Sequence, residues 1–377
     1  MDQSVRVGIV GGGQLGRMLT EAASNMGIPV AVVDGTPNCP AAQVGAEQIV
    51  ADLHDHEALK KLADVSDVIT IEIEHVDAEF LDEIAALGKP VYPDPKVIKN
   101  IQDKLTQKEH LQKIGIPVAD FRKLNNLEEA SSVLEEFGGK FILKSRLGGF
   151  DGRGNAVVNS VNKLEQAYNL LGAKNLYAEK LIDFTKEIAV MAAYDKDGST
   201  AIYPVVETIQ ARNICLEVYA PGEIDSSASQ QAEEYAKKIL QSYKTPGIFG
   251  IEMFATKDGQ VIVNEVAPRV HNSGHYTIEA CATSQFEQHL RCITGQKLGS
   301  TELKTKAAVM INVLGERNGE TLNQGVEEAT KIPGTFTHLY GKSPTKIDRK
   351  MGHITALADD LETAFKNARD ARKLIEI

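Results

Sequence analysis

Positive charge is in short supply along this chain. Against 52 Asp+Glu stand 41 Lys+Arg, giving a formal net charge of −11 and a pI near 5.4, which argues against a nucleic-acid coat. No apolar run approaches the ~18–20 residues that a membrane span needs. Met1-Asp2 leads into Val5-Arg6-Val7-Gly8-Ile9-Val10 without a basic leader region. A cytoplasmic protein with no membrane or nucleic-acid partner is therefore expected. Cysteine is scarce: Cys39, Cys215, Cys281 and Cys292 are scattered with no C-x-x-C, which fits neither a disulfide framework nor a zinc site and leaves reduced, packing thiols. His54-x-His56 beside Asp55 lies in a polar stretch and reads as a solvated loop. Internal repeats and low-complexity segments are also absent.

What is present is globular. Hydrophobic residues at 42% and charged residues at 25% are ordinary proportions, and 377 residues imply two or three domains. Val5–Val10 ends in glycines, and Leu15, Met18, Leu19, Ala22 and Met26 follow at helical spacing up to Gly27, giving strand, tight turn and helix. Further strands at Val30–Val33 and Val68–Ile73 make residues 1 to about 95 a small parallel α/β unit of three or four strands. One helix carrying Ile98, Ile101, Leu105 and Leu111 follows, and then the pattern changes to hairpins. Phe141–Lys144 returns as Ala156–Val158, Ile188–Ala193 as Thr200–Val206, and Ile251–Thr256 as Val261–Val266. Thr277–Ile293 reads as helix, and strand-like Val309–Leu314, Phe336–Tyr340 and Gly352–Ala356 precede a last amphipathic helix.

Gly11-Gly12-Gly13-Gln14-Leu15-Gly16 satisfies G-x-G-x-x-G between strand and helix, with Asp34 ending the next strand. Backbone amides there would attract a phosphate, and a nicotinamide dehydrogenase is a competing reading. Its weakness is that the parallel pattern stops short of a six-strand dinucleotide sheet. On Ile69–Glu74, period-2 geometry puts Thr70, Glu72 and Glu74 on one face, near the ligand-binding end of a parallel strand.

Asp258-Gly259 predicts a two-residue type I′ turn that opposes 257 to 260 and 256 to 261. Continued along the strands, that register sets Glu252 against Glu265. Like charges there are destabilising unless a cation lies between them, and Mg²⁺ is the natural occupant. The next loop, Ala267-Pro268-Arg269-Val270-His271-Asn272-Ser273-Gly274-His275, is crowded with donors suited to a reacting anion. Lys144 ends an apolar strand before Gly149-Phe150-Asp151-Gly152-Arg153-Gly154, a loop without G-K-[ST] that reads as a flap over phosphates and not a Walker A loop.

Lys144, the glycine flap, Tyr177-Ala178-Glu179-Lys180-Leu181-Ile182 with Glu187 beyond, and Glu252…Asn264-Glu265 occur in the order of an ATP-grasp enzyme, and the resemblance runs over the whole chain. Four motifs narrow it: Gly12–Met18, Asp103–Lys108, Gly149–Gly154 and Asn264–Thr277 together resemble the 5-(carboxyamino)imidazole ribonucleotide synthases, which use ATP and bicarbonate. This resemblance implies a mixed α/β and α+β chain with an ATP-grasp fold. An N-terminal Rossmann-like (pre-ATP-grasp) domain would occupy 1–100, the ATP-grasp domain 101–298 with a flap subdomain at about 120–185, and a small C-terminal β-rich domain 299–377. Lys104 and Lys144 would contact ATP phosphates, with Gly149, Phe150, Asp151, Gly152, Arg153, Gly154 and Asn155 in the flap. Glu179, Lys180, Leu181 and Ile182 would read adenine and Glu187 the ribose, with Gln210 where relatives can carry histidine and Asn264 beside the metal pair Glu252 and Glu265. Arg269, His271 and Asn272 would hold bicarbonate and then carboxyphosphate, with Asp151 near the substrate amine. The ribonucleotide would meet Lys342, Arg349 and Lys350 on one side and Gln14, Leu15, Gly16 and Glu74 on the other. A homodimer is implied as well. A formate-dependent glycinamide ribonucleotide transformylase is the nearest alternative, and Asn272-Ser273-Gly274-His275 speaks against it because the matching loop there reads more like P-R-P-H-D-T-G.

Overall fold

The computed structural model describes residues 5–148 and 154–377, so the expectations for Gly149, Phe150, Asp151, Gly152 and Arg153 lie outside the described residues. The N-terminal unit is a four-stranded, wholly parallel sheet in the order Glu47–Val50, Val30–Asp34, Val7–Val10, Val68–Ile71. Buried β-branched residues such as Ile9, Val32 and Ile69 suit strands covered on both faces. No fifth strand joins this sheet among the described residues, so the six-strand dinucleotide sheet is not formed. The third expected strand stops at Ile71, two residues early, and that frees Glu72 and Glu74 for separate tasks.

The single helix expected around residues 98–111 is two, Pro95–Gln102 and Lys104–Lys113. Asp103 makes the break. Its extended backbone (φ −92°, ψ 102°) lets the carboxylate accept from Leu105 N at 3.1 Å and Thr106 N at 3.3 Å, so a new helix starts there. Arg146 fixes Asp103 from outside with both Nε and Nη2. The restart places Lys104 and Lys108 four residues apart on one helix face.

Residues 121–180 form a four-stranded antiparallel sheet in the order Phe121–Leu124, Leu176–Lys180, Phe141–Ser145, Asn155–Val158, with Lys144 paired to both Asn155 and Tyr177. The largest sheet has nine strands. Gly247–Thr256 and Phe184–Tyr194 lie toward one end, and the C-terminal strand Ala307–Leu314 pairs with Ile214–Ala220, Glu217 facing Ile311. The C-terminal segment therefore continues the central sheet and has no separate sheet of its own. The helix expected over Thr277–Ile293 is interrupted, running as Thr277–Ala280 and Gln285–Thr294.

A fully buried histidine joins the N-terminal sheet to the central one. His289 Nδ1 accepts from Ile248 N at 3.1 Å, so Nε2 carries the proton and donates to Thr70 Oγ1 at 2.8 Å. Burial pushes its pKa down to about 4, which keeps the ring neutral in this latch.

Candidate active site

The glycine turn already holds an anion of the chain's own. Glu72 accepts from Gly13 N at 2.6 Å through Oε1 and from Gly16 N at 2.5 Å through Oε2, filling the helix N-terminus where a phosphate was expected. Glycine is required for this approach, because a Cβ on Gly11 or Gly13 would stand 2.4 or 2.6 Å from Glu72. Asp34 braces the same turn by accepting from Gly12 N at 3.0 Å. The dinucleotide reading fails on these contacts and on the four-stranded sheet. Burial raises the pKa of Glu72, against the lowering effect of the two N–H bonds. Removing the carboxylate in Glu72→Ala strands two amides, a cost of about 1–3 kcal/mol. The expected result is a melting temperature lower by a few degrees; an unchanged melt would show that the turn stands without Glu72.

A cavity of about 1000 Å³ lies between the three parts of the chain. Gln14, Leu15 and Glu74 line it from the N-terminal unit. Gly16 does not; its amide donates to Glu72, which is itself in the lining. Lys104, Lys144, Asn155, Glu179, Lys180, Leu181, Ile182, Glu187, Gln210, Asn264 and Glu265 line another part, together with Glu252, Arg269, His271 and Asn272. Lys342 and Lys350 complete the lining. Gly154 and Arg349 are not part of it; Arg349 Nη1 donates to Pro344 O at 2.6 Å.

On the flap side, Glu179, which the resemblance assigns to adenine, has its carboxylate between two ammonium groups. Lys144 Nζ is 2.8 Å from Oε1 and Lys108 Nζ 3.2 Å from Oε2, with Glu179 3% exposed. Burial pushes the Glu179 pKa up, yet the two lysines override it and the net shift is downward. Lys108 was missed as a site residue. Its spacing four past Lys104 was the available signal, and burial lowers its pKa. Ile142, Leu147, Val157, Phe184 and Phe254 give the same region an apolar wall, the two phenylalanine rings stacked at 4.6 Å. Glu187 is hydrogen-bonded to Gln210, and burial raises its pKa.

Glu252 and Glu265 do oppose each other, by a different route from the one expected. The loop has three residues, Lys257-Asp258-Gly259, closed by Thr256 N donating to Gln260 O at 3.0 Å, with Gly259 at φ +77°. That opposes Ala255 to Val261 and Met253 to Val263, one residue out of the expected register. A bulge at Asn264 then restores it, leaving Glu252 opposite Glu265. Burial and the neighbouring Glu265 push Glu252 up to about 7. Glu265 is also penalised by burial, but Lys104 Nζ at 2.9 Å holds it down to about 2. Glu265 thus has an ammonium group at hydrogen-bond distance, while the group facing Glu252 is the His271 ring, with Nε2 at 3.6 Å. Among the described residues no three His, Cys, Asp or Glu side chains converge as a protein-only metal site. A pair of carboxylates open to a cavity instead fits a hard cation that takes its other ligands from phosphate and water.

In the following loop, Arg269 Nη2 meets Glu74 at 2.8 Å and Nη1 donates to Val270 O at 3.0 Å. His271 Nε2 stands 3.6 Å from Glu252 Oε1, and its Nδ1 is 2.9 Å from Ser273 Oγ. Gln285, wholly buried, accepts from His271 N at 2.9 Å and donates to His271 O at 2.7 Å. A Cβ on Gly274 would stand 2.5 Å from Gln285 Oε1, which explains glycine there. From the C-terminal segment, Lys342 Nζ donates to Gln14 Oε1 at 2.6 Å and to Lys350 O at 2.9 Å, closing the cavity against the glycine turn.

Three family models divide the chain: a ribonucleotide synthetase preATP-grasp domain over residues 4–102, an ATP-grasp domain over 109–286, and a phosphoribosylaminoimidazole carboxylase C-terminal domain over 308–373. The chain is 40% identical to phosphoribosylaminoimidazole carboxylase of Schizosaccharomyces pombe over all of its own length and 70% of that protein. It is 36% identical to N5-carboxyaminoimidazole ribonucleotide synthase of Staphylococcus aureus, covering 94% of this chain and 93% of the other. Among solved structures, N5-carboxyaminoimidazole ribonucleotide synthetase from Thermotoga maritima superposes with a TM-score of 0.90 at 44% identity, covering 99% of both chains. The Aspergillus clavatus N5-carboxyaminoimidazole synthase, in complex with ADP and 5-aminoimidazole ribonucleotide, gives 0.91 at 40% identity, again over 99% of both.

Proposed function

Because the chain belongs to the N5-carboxyaminoimidazole ribonucleotide synthase family, we propose that its cavity joins ATP, bicarbonate and 5-aminoimidazole ribonucleotide through the residues described above. As a member of that family it is an ATP-dependent ligase of purine biosynthesis that carboxylates the 5-amino group of the ribonucleotide. The observation that carries the assignment of roles is the meeting, in one cavity, of the Glu252–Glu265 pair, the Arg269–Asn272 loop and Lys342 with Lys350.

Lys104 and Lys144 bind the ATP phosphates, and the apolar wall with Phe184 takes the adenine. Glu252 and Glu265 hold Mg²⁺, whose contribution when bound is to neutralise phosphate charge. Arg269, with His271 and Asn272, orients bicarbonate so that one of its oxygens attacks the γ-phosphorus. An O–P bond forms, the bridging P–O bond breaks toward ADP, and carboxyphosphate results. The guanidinium of Arg269 faces charge that grows in that transition state. Lys342, Lys350 and Gln14 place the ribonucleotide so that its amine attacks the carboxyl carbon, forming C–N as phosphate leaves. Asp151, outside the described residues, or the departing phosphate takes the amine proton. Homodimeric assembly and a cytoplasmic location belong to the same proposal.

The test is ADP release with the ribonucleotide and bicarbonate supplied separately and together. Full turnover is expected only with both, and no dependence on the ribonucleotide would overturn the assignment.

A further inference from the structure

The loop that the proposed reading gives to bicarbonate is tied to the C-terminal segment by one buried amide. Asn312, on Ala307–Leu314 and 3% exposed, faces Asn272, 7% exposed, in a reciprocal pair. Asn272 Nδ2 donates to Asn312 Oδ1 at 3.0 Å, and Asn312 Nδ2 donates to Asn272 Oδ1 at 2.7 Å. Such a pair could form with both amides turned over, since each has a donor and an acceptor side. The choice is made by a third group. Asn312 Nδ2 also donates to Cys215 O at 2.9 Å, and a backbone carbonyl only accepts. Turning Asn312 over would set two oxygens against each other in a buried place. The Cys215 carbonyl thus fixes the polarity of Asn312, and Asn312 fixes that of Asn272.

We infer that Asn312 is a positioning residue for bicarbonate, holding Asn272 at the cavity wall with a set amide polarity so that its remaining N–H meets the anion. Asn312 itself touches no substrate. The inference rests on the reading of Arg269, His271 and Asn272 as the bicarbonate loop, and it makes the C-terminal segment part of that subsite.

A double-mutant cycle tests it, with KM for bicarbonate and for ATP read separately from ADP release. Asn312→Ala should raise KM for bicarbonate roughly tenfold, the scale of one positioned hydrogen bond, and leave KM for ATP within about twofold. Because Asn312 acts through Asn272, the double variant should be no worse than Asn272→Ala alone. Additive losses, both KM values moving together, or an unmoved bicarbonate KM in Asn312→Ala would overturn the inference. If Asn312→Ala does not fold, Asn312→Ser keeps a donor for Cys215 O while losing the reciprocal pair, and the same criterion applies. Failure of both to fold would show a framework role and overturn it too. An unchanged bicarbonate KM in Asn272→Ala would instead overturn the loop assignment itself.

Discussion

Arg269→Ala is expected to lower turnover about 100-fold or more while ATP binding stays within a few-fold of the parent. The guanidinium sits on the cavity wall with Nη2 on Glu74 and Nη1 on the Val270 carbonyl, so its position is set before any anion arrives. Its Nε is buried and meets no hydrogen-bond acceptor among the described residues. A prearranged charge of this kind costs no reorganisation when the transition state forms, and losing one such donor typically lowers kcat by 10²–10³. Truncation also leaves Glu74 without its cation beside the same subsite, which adds repulsion toward a bicarbonate ion. Arg269→Lys separates the two effects. It keeps the charge but loses the fixed fork, so a partial loss is expected. ADP release under saturating substrates gives turnover, and calorimetric titration with ATP gives the binding control. Unchanged turnover in Arg269→Ala would remove the residue from the mechanism.

The parts of this site that were legible in the sequence are those set by short-range pattern. Lys144 at the end of an apolar strand, the glycine turn between strand and helix, and the donor-rich loop after the last hairpin all lie where local spacing puts them. The opposed glutamates show the limit of that reading. The three-residue loop displaces the register by one, the bulge at Asn264 displaces it back, and neither deviation is written in the Asp258-Gly259 dipeptide alone. The glycine turn was legible as a backbone shape but not as an occupied one, because Glu72 reaches it from the end of another strand. Gln285 and Asn312 left no signal at all. Each holds the 269–275 loop by side-chain amide bonds, to a backbone in one case and to another amide in the other, and an amide commits to its partner only through the fold. The pairing of Ile214–Ala220 with Ala307–Leu314, which joins the C-terminal segment to the central sheet, was likewise invisible, since it depends on a neighbour about ninety residues away.

The carboxylate pair gives the second large effect, and its pH dependence follows from the two opposite shifts. Glu252 has an ordinary value of 4.5 and is pushed up to about 7 in the folded protein. Between those values the folded chain holds a proton that the unfolded chain has released, so the stability this group contributes is full below about 4.5 and falls as pH rises to about 7. Glu265, held down to about 2 by Lys104, contributes in the other sense, with stability present above 4.5 and lost as pH falls toward 2. Glu252→Gln imitates the protonated form and does not titrate. Without divalent cations, wild type should therefore lose melting temperature relative to Glu252→Gln by a few degrees between pH 5 and 8. Added Mg²⁺ should restore wild type at pH 8 and do little for the variant, because only wild type sets a second ionised carboxylate opposite Glu265. The apparent Mg²⁺ affinity should tighten about tenfold per pH unit up to about 7 and level off above it, as the cation stops competing with a proton. Glu265→Gln, which also frees Lys104 from its partner, should lower ATP cleavage at limiting Mg²⁺ by ~10²-fold. A melting temperature of wild type that ignores Mg²⁺ at pH 8, or full activity of Glu265→Gln at limiting Mg²⁺, would place the cation elsewhere.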